Sequence, residues 1–148
     1  MLMAGYKFKL QNILKLRENV EKDKKNEFGA ATQRFDKEKL KLEQLNAEMY
    51  YMCEEIEKSV CNGISVNELR LQQRFKDYYK YSISNQIIRK NMAEEHLVNC
   101  KHMLIEAVQD RKIMEKLKEM DYGKYMYTEQ KNEEKLVDDL VSFKQSNK

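Results

Sequence analysis

His96 and Cys100 stand four residues apart, one turn along any helix that carries them, and an imidazole and a thiolate at that spacing are two of the ligands a zinc ion takes. No third or fourth ligand follows nearby, because His102 falls on another face, so a seam cysteine beside a surface histidine is the better reading. Asp138 and Asp139, in "EEKLVDDLV", could suggest acid–base work. Consecutive residues do not share a helix face, which favours two solvated carboxylates instead. The chain has no glycine-rich phosphate loop, no Gly-x-Ser-x-Gly elbow and no His-Glu-x-x-His. An enzyme is not expected, nor a metal or other cofactor.

Two basic clusters, "KDKK" at Lys22 to Lys25 and "RKN" at Arg89 to Asn91, could touch phosphates, but acidic residues flank both and would repel them. The 28 basic and 25 acidic residues nearly cancel and are interleaved, as on a solvated helix surface. Nucleic acid is therefore not an expected partner. The aromatic cluster "FKDYYKY", Phe75 to Tyr81, is more informative. At 3.6 residues per turn its rings spread around most of a helix and cannot all enter a narrow seam. Met49, Tyr50, Tyr51 and Met52 behave alike on an earlier stretch. Either the core is locally wide here, or tyrosines and methionines form an exposed patch of the kind enriched at protein interfaces. A fold with no third layer to hide the rings favours the interface.

The elements that must position these residues are helices. With 36% charged residues and no tryptophan, the chain is too polar for a thick globular core, while 41% hydrophobic content exceeds that of disordered tails. From Leu14 a seven-residue step lands on Glu21, Phe28, Phe35, Leu42, Met49 and Ile56, and a second, mixed row runs through Leu10, Arg17, Lys24, Ala31, Glu38, Leu45, Met52 and Ser59. That seam is expected to be tightest from Phe28 to Ile56. The second half repeats the pattern with Ile83, Leu97 and Leu104 on one row and Tyr79, Ala93, Cys100, Ala107 and Met114 on the other, interrupted by Gln86, Lys90 and Arg111. Beyond Met114 the spacing changes, through Leu117, Tyr125, Leu136 and Leu140, and Gly123 is the expected weak point of that helix.

A chain with no proline and four glycines contains one well-built break, "CNGISVNEL". Gly63 can take the left-handed conformation that ends a helix. Ser65 and Glu68 form an S-x-x-E capping box, and Ile64 and Leu69 stand where a hydrophobic staple would close over it. So short a turn makes its neighbours antiparallel. The expected fold is all-α: two long antiparallel helices in a coiled-coil hairpin, one domain over 1–148. Arm one covers about 6–61, the turn 62–65, arm two about 66–142, and 143–148 is a frayed tail; at 1.5 Å per residue the rod would be roughly 80 to 110 Å long. Three cysteines without a Cys-x-x-Cys pair point to a reducing compartment. With no signal-peptide core and no apolar run of membrane-spanning length, a soluble, unprocessed chain with no direct membrane insertion is expected.

The chain resembles the flagellar export proteins of the FliJ family. The start "YKFKLQNILKLRENVEKDKKNEFGAA", with Phe8, Leu10, Leu14 and Arg17-Glu18, is similar to the family's opening helix, and "NGISVNEL" to its hairpin. "MLIEAVQDRKIMEKLKE", Met103 to Glu119, and "YTEQKNEEKLVDDL", Tyr127 to Leu140, resemble its two C-terminal signatures, although the family often has glutamate where this chain has Asp139. The resemblance implies a non-enzymatic stalk or adaptor of the flagellar type III export apparatus, similar to the stalk of rotary ATPases. It would work in the cytoplasm, peripheral to the inner membrane at the flagellar base. Its implied partners are the hexameric export ATPase, the transmembrane export-gate protein FlhA and export chaperones. By the same resemblance Leu45, Met52, Phe75 and Tyr79 are the gate contacts, and Arg111, Lys112, Glu115, Lys116 and Leu117 lie nearest the ATPase. The alternatives are a generic self-associating coiled-coil scaffold and a nucleic-acid-binding helical hairpin.

Overall fold

Residues 5–147 are described by a computed structural model, so Met1–Ala4 and Lys148, the extremes of the expected 1–148 span and the last residue of its tail, lie outside the described residues. Helix α1 runs over Gln11–Asn62 and helix α2 over Val66–Ser146. The two pack against each other as the expected all-α hairpin. The turn is built as its residues dictate. Gly63 has a φ of +84°, a value L side chains resist, and its amide donates to the Val60 carbonyl at 3.2 Å, closing α1. The Ser65 hydroxyl accepts the Glu68 amide at 3.2 Å, which forms the serine half of the capping box. Among the described residues no bond returns from the Glu68 side chain to the Ser65 amide; the carboxylate still stands in the first turn of α2, beside its positive end. Of the expected staple, Ile64 is half-buried and Leu69 remains exposed.

The chain divides into two compact units, Lys24–Leu104 around the turn, and Met1–Asp23 with Ile105–Lys148 around the chain ends. In the turn unit the buried positions are Ala31, Gln86, Ala93 and Cys100. Phe35, Leu42, Met49 and Ile56 are only half-buried, so the tightest contact is not the expected Phe28-to-Ile56 stretch. In this unit the buried apolar positions are all small: Ala31, Ala93 and Cys100 fit under the facing backbone, while Phe35, Leu42, Met49 and Ile56 reach the edge of the seam and keep one flank in water. Gln86, an interruption in the apolar row, is among the most buried residues: its Nε2 donates to the Glu38 carbonyl at 3.0 Å and to the Glu38 carboxylate. The Gln86 amide nitrogen is thus satisfied across the seam, which lowers the cost of burying it.

In the end unit Leu14, Glu21, Ala107 and Met114 are buried. Arg111 pairs with the buried Glu21 carboxylate and also with Glu115 at 2.8 Å, and Arg17 pairs with Asp110 at 3.5 Å. Residues 5–10 do not begin arm one, contrary to expectation. They form a non-helical strap whose Tyr6 ring lies against Tyr122 and Tyr125, with centroids 5.1 and 5.2 Å away. After Met114 the half-buried residues are Lys118, Tyr122 and Tyr125. Two consecutive four-residue steps, Met114 to Lys118 to Tyr122, give the expected phase shift, and Leu117 falls one position off that row; Leu136 and Leu140 lie beyond the last seam residue, Tyr125, where nothing covers α2 among the described residues. The helix passes through Gly123 without a break and continues to Ser146, four residues past the expected 142. Every described residue from 126 onward is exposed.

Candidate partner-binding surfaces

The first surface lies in the turn unit. On α2, Leu71, Phe75 and Tyr78 follow one another at steps of four and three, so they share a face, and all three are more than half exposed. With Arg74 and Tyr79 they line an open hollow of about 340 Å³. Tyr78 and Tyr79 meet edge to face, with centroids 5.7 Å apart. A second hollow, of about 200 Å³, shares Tyr78 and is lined by Lys41, Leu45, Ser82, Asn85, Gln86 and Arg89. Tyr50, Tyr51 and Tyr81 also face outward, so the aromatic cluster is a surface rather than a wide core.

Of the four expected gate residues, Phe75 and Tyr79 line the first hollow and Leu45 the second. Met52 is half-buried in the seam and lines neither. Only Phe75 of the four is more than half exposed; Leu45, Met52 and Tyr79 are half-buried. Burial raises the Tyr79 pKa above that of an ordinary phenol, and the charge and hydrogen bond of Glu48 raise it further. Glu48 of α1 and Tyr79 of α2 are thus neighbours at the rim of the hollow. Leu71 was not anticipated, and Tyr78, expected as part of the aromatic cluster, was not among the four gate residues; the four-three step with Phe75 was the available signal.

The second surface lies in the end unit. Lys112, Glu115, Lys116 and Leu117 are exposed, but Arg111 is half-buried and committed to Glu21 and Glu115. Arg111 therefore braces the seam, and what it presents outward is limited. Ile113, Leu117 and Met120, again at steps of four and three, form an exposed apolar ridge beside the Lys112 and Lys116 ammonium groups. Ile113 and Met120 were not anticipated. Further along α2, Leu136, Val137, Leu140, Val141 and Phe143 are exposed together, next to the solvent-facing Asp138 and Asp139.

The remaining candidates are quieter. The Cys100 sulfur lies 3.6 Å from the His96 Nε2, and no group of three or more metal-ligating side chains occurs among the described residues. In the "KDKK" cluster Lys24 pairs with Glu27 at 3.2 Å, and in "RKN" Arg89 is exposed while Lys90 is half-buried. Among the described residues no helix is long and apolar enough to cross a membrane.

Two packed helices that carry exposed apolar and aromatic ridges define an α-helical hairpin whose surface has the residue types enriched at protein interfaces. The family model of the flagellar FliJ protein matches residues 6–148, nearly the whole length, and the chain belongs to that family. It is accordingly a component of flagellar protein export. No curated protein sequence and no solved structure matches it.

Proposed function

We propose that the chain is the stalk-like adaptor of the export apparatus, joining the export ATPase to the export-gate protein FlhA and receiving export chaperones, at the cytoplasmic face of the inner membrane. The protein hydrolyses nothing itself; its part is mechanical and regulatory. The observation that carries this reading is the pairing of family membership with two separate exposed ridges, one in each unit.

In this reading the gate meets the turn unit at Leu45, Met52, Phe75 and Tyr79, and Leu71 and Tyr78 enlarge that contact. Leu71, Phe75 and Tyr78 supply apolar area, and Lys41, Arg74 and Arg89 set a positive rim around it. The ATPase meets the end unit at Arg111, Lys112, Glu115, Lys116 and Leu117, with Lys112, Lys116 and Leu117 touching it and Arg111 and Glu115 holding the helix that presents them. Packed helices transmit displacement better than loops do, which suits a part that couples nucleotide hydrolysis to the gate.

Co-purification tests the proposal. The chain should be retained by the export ATPase and should stimulate its hexamer formation and turnover, with the effect reduced by Lys116→Glu combined with Leu117→Ser. A chain that leaves assembly and turnover of the ATPase unchanged, and instead forms a stable dimer or filament at micromolar concentration, would be a self-associating scaffold.

A further inference from the structure

Helix α1 begins at Gln11, where a turn closes from the Gln11 amide to the Phe8 carbonyl at 3.1 Å, yet among the described residues no side chain caps it. Leu10, the residue before it, has no side-chain acceptor to cap the first amides, and the first turn carries no acidic residue. The strap is what interrupts the helix. The Tyr6 hydroxyl donates to the Asp121 carboxylate at 2.8 Å, its ring rests on Tyr122 and Tyr125, and Lys118 Nζ donates to the Gln11 side chain at 2.8 Å. Gly5, at a φ of +83°, brings the backbone so close that a Cβ there would stand 3.3 Å from the Tyr125 hydroxyl. Against this, residues 5–10 make no backbone-to-backbone hydrogen bond to α2 among the described residues, the Tyr6 to Asp121 bond is exposed to water, and the hydroxyl's second, part-buried contact with the Lys118 carbonyl is long, at 3.4 Å. A short segment held by two half-buried rings, Tyr6 and Phe8, and a few side-chain bonds opens more readily than the helices it leans on.

What the strap covers has a use. Lys118, Tyr122 and Tyr125 occupy the turns of α2 that also carry Leu117 and Met120, and they lead directly into the uncovered stretch from 126 onward. We infer that residues 5–10 are a latch: Tyr6, docked on Tyr122 and Tyr125, withholds part of the end-unit surface from the export ATPase, and binding displaces it. This rests on the assignment of the end unit to the ATPase. When the competent form is only a fraction of the population, the apparent dissociation constant is the intrinsic one divided by that fraction. A latch closed nine-tenths of the time therefore weakens binding about tenfold.

The test uses the full-length chain and two variants, Tyr6→Ala, which removes ring and hydroxyl, and Tyr6→Phe, which removes the hydroxyl alone. Tyr6→Ala should bind the purified export ATPase about three to ten times more tightly than the parent, with Tyr6→Phe in between and helix content undiminished in both. Equal or weaker binding by Tyr6→Ala overturns the latch, provided that Lys116→Glu with Leu117→Ser weakens binding in the same assay. If that double variant binds like the parent, the ATPase assignment fails instead, and the latch is then decided without a partner. Nitration of Tyr122 and Tyr125, read by mass spectrometry, must rise in Tyr6→Ala; equal nitration overturns it.

Discussion

Truncating Phe75 to alanine should weaken gate binding far more than it disturbs the hairpin. The Phe75 side belongs to a residue 51% exposed, so about half of a phenylalanine's burial of roughly 150 to 200 Å² is still available to a partner. At about 25 cal/mol per Å², covering that remaining area is worth about 2 to 2.5 kcal/mol, or about thirty- to sixtyfold in affinity. Tyr79 is half-buried and linked to Glu48, so its truncation would mix binding with damage to the seam. Phe75→Ala is the cleaner perturbation for that reason. Calorimetric titration against the cytoplasmic part of FlhA reads the affinity, and circular dichroism on the same samples reads helix content. Affinity within about twofold of the parent, with helix content intact, would refute the assignment of this ridge to the gate. Loss of affinity in Lys112→Ala of the same size would refute it differently, by showing that binding is not confined to the turn unit.

The glycines give opposite outcomes in thermal unfolding. Gly63→Ala should cost about 1 to 2 kcal/mol because of its left-handed backbone, while Gly123→Ala, with nothing within 4 Å of the added methyl, should gain about 1 kcal/mol from helix propensity. Replacing the buried Gln86 by leucine keeps its bulk but leaves the Glu38 carboxylate without its donor and should cost about 1 kcal/mol, whereas Gln86→Ala adds an unfilled space and should lose about 2 kcal/mol or more; chemical denaturation distinguishes them. The Tyr6 phenol is pushed up to about 12, chiefly by desolvation and then by the Asp121 hydrogen bond and charge. Its folded pKa lies above the unfolded value of about 10, so its contribution is whole below pH 10 and is lost as pH rises toward 12. Phenolate absorbance should lose one late-titrating tyrosine in Tyr6→Phe, while Tyr50 and Tyr79, also raised, remain.

Much of this molecule is legible in its order of residues. The heptad rows of α1 reach the seam at Leu14, Glu21, Phe28, Phe35, Leu42, Met49 and Ile56 as spaced, and the Gly63 and Ser65 turn chemistry acts within a few bonds of its own chain. Periodicity shows which face of a helix is inward because side-chain direction follows directly from helical geometry. The outward rings of the Phe75-to-Tyr81 cluster follow from the same rule, since a two-residue stripe cannot hold them. How deep each inward residue sits was not legible. Depth depends on how closely the facing backbone approaches, which small residues on both helices set together, so Ala93 and Cys100 are buried where Phe35 and Ile56 are not.

The sequence by itself determined two helices, one reversal and the stripe along which they meet, because each of these is settled by neighbours a few residues apart. Tertiary structure alone decided where α1 starts, that Arg111 belongs to Glu21, and that Lys118, Tyr122 and Tyr125 replace Leu117 in the seam. The partners in those contacts are about a hundred residues apart in the chain, and no local spacing encodes which of them will meet.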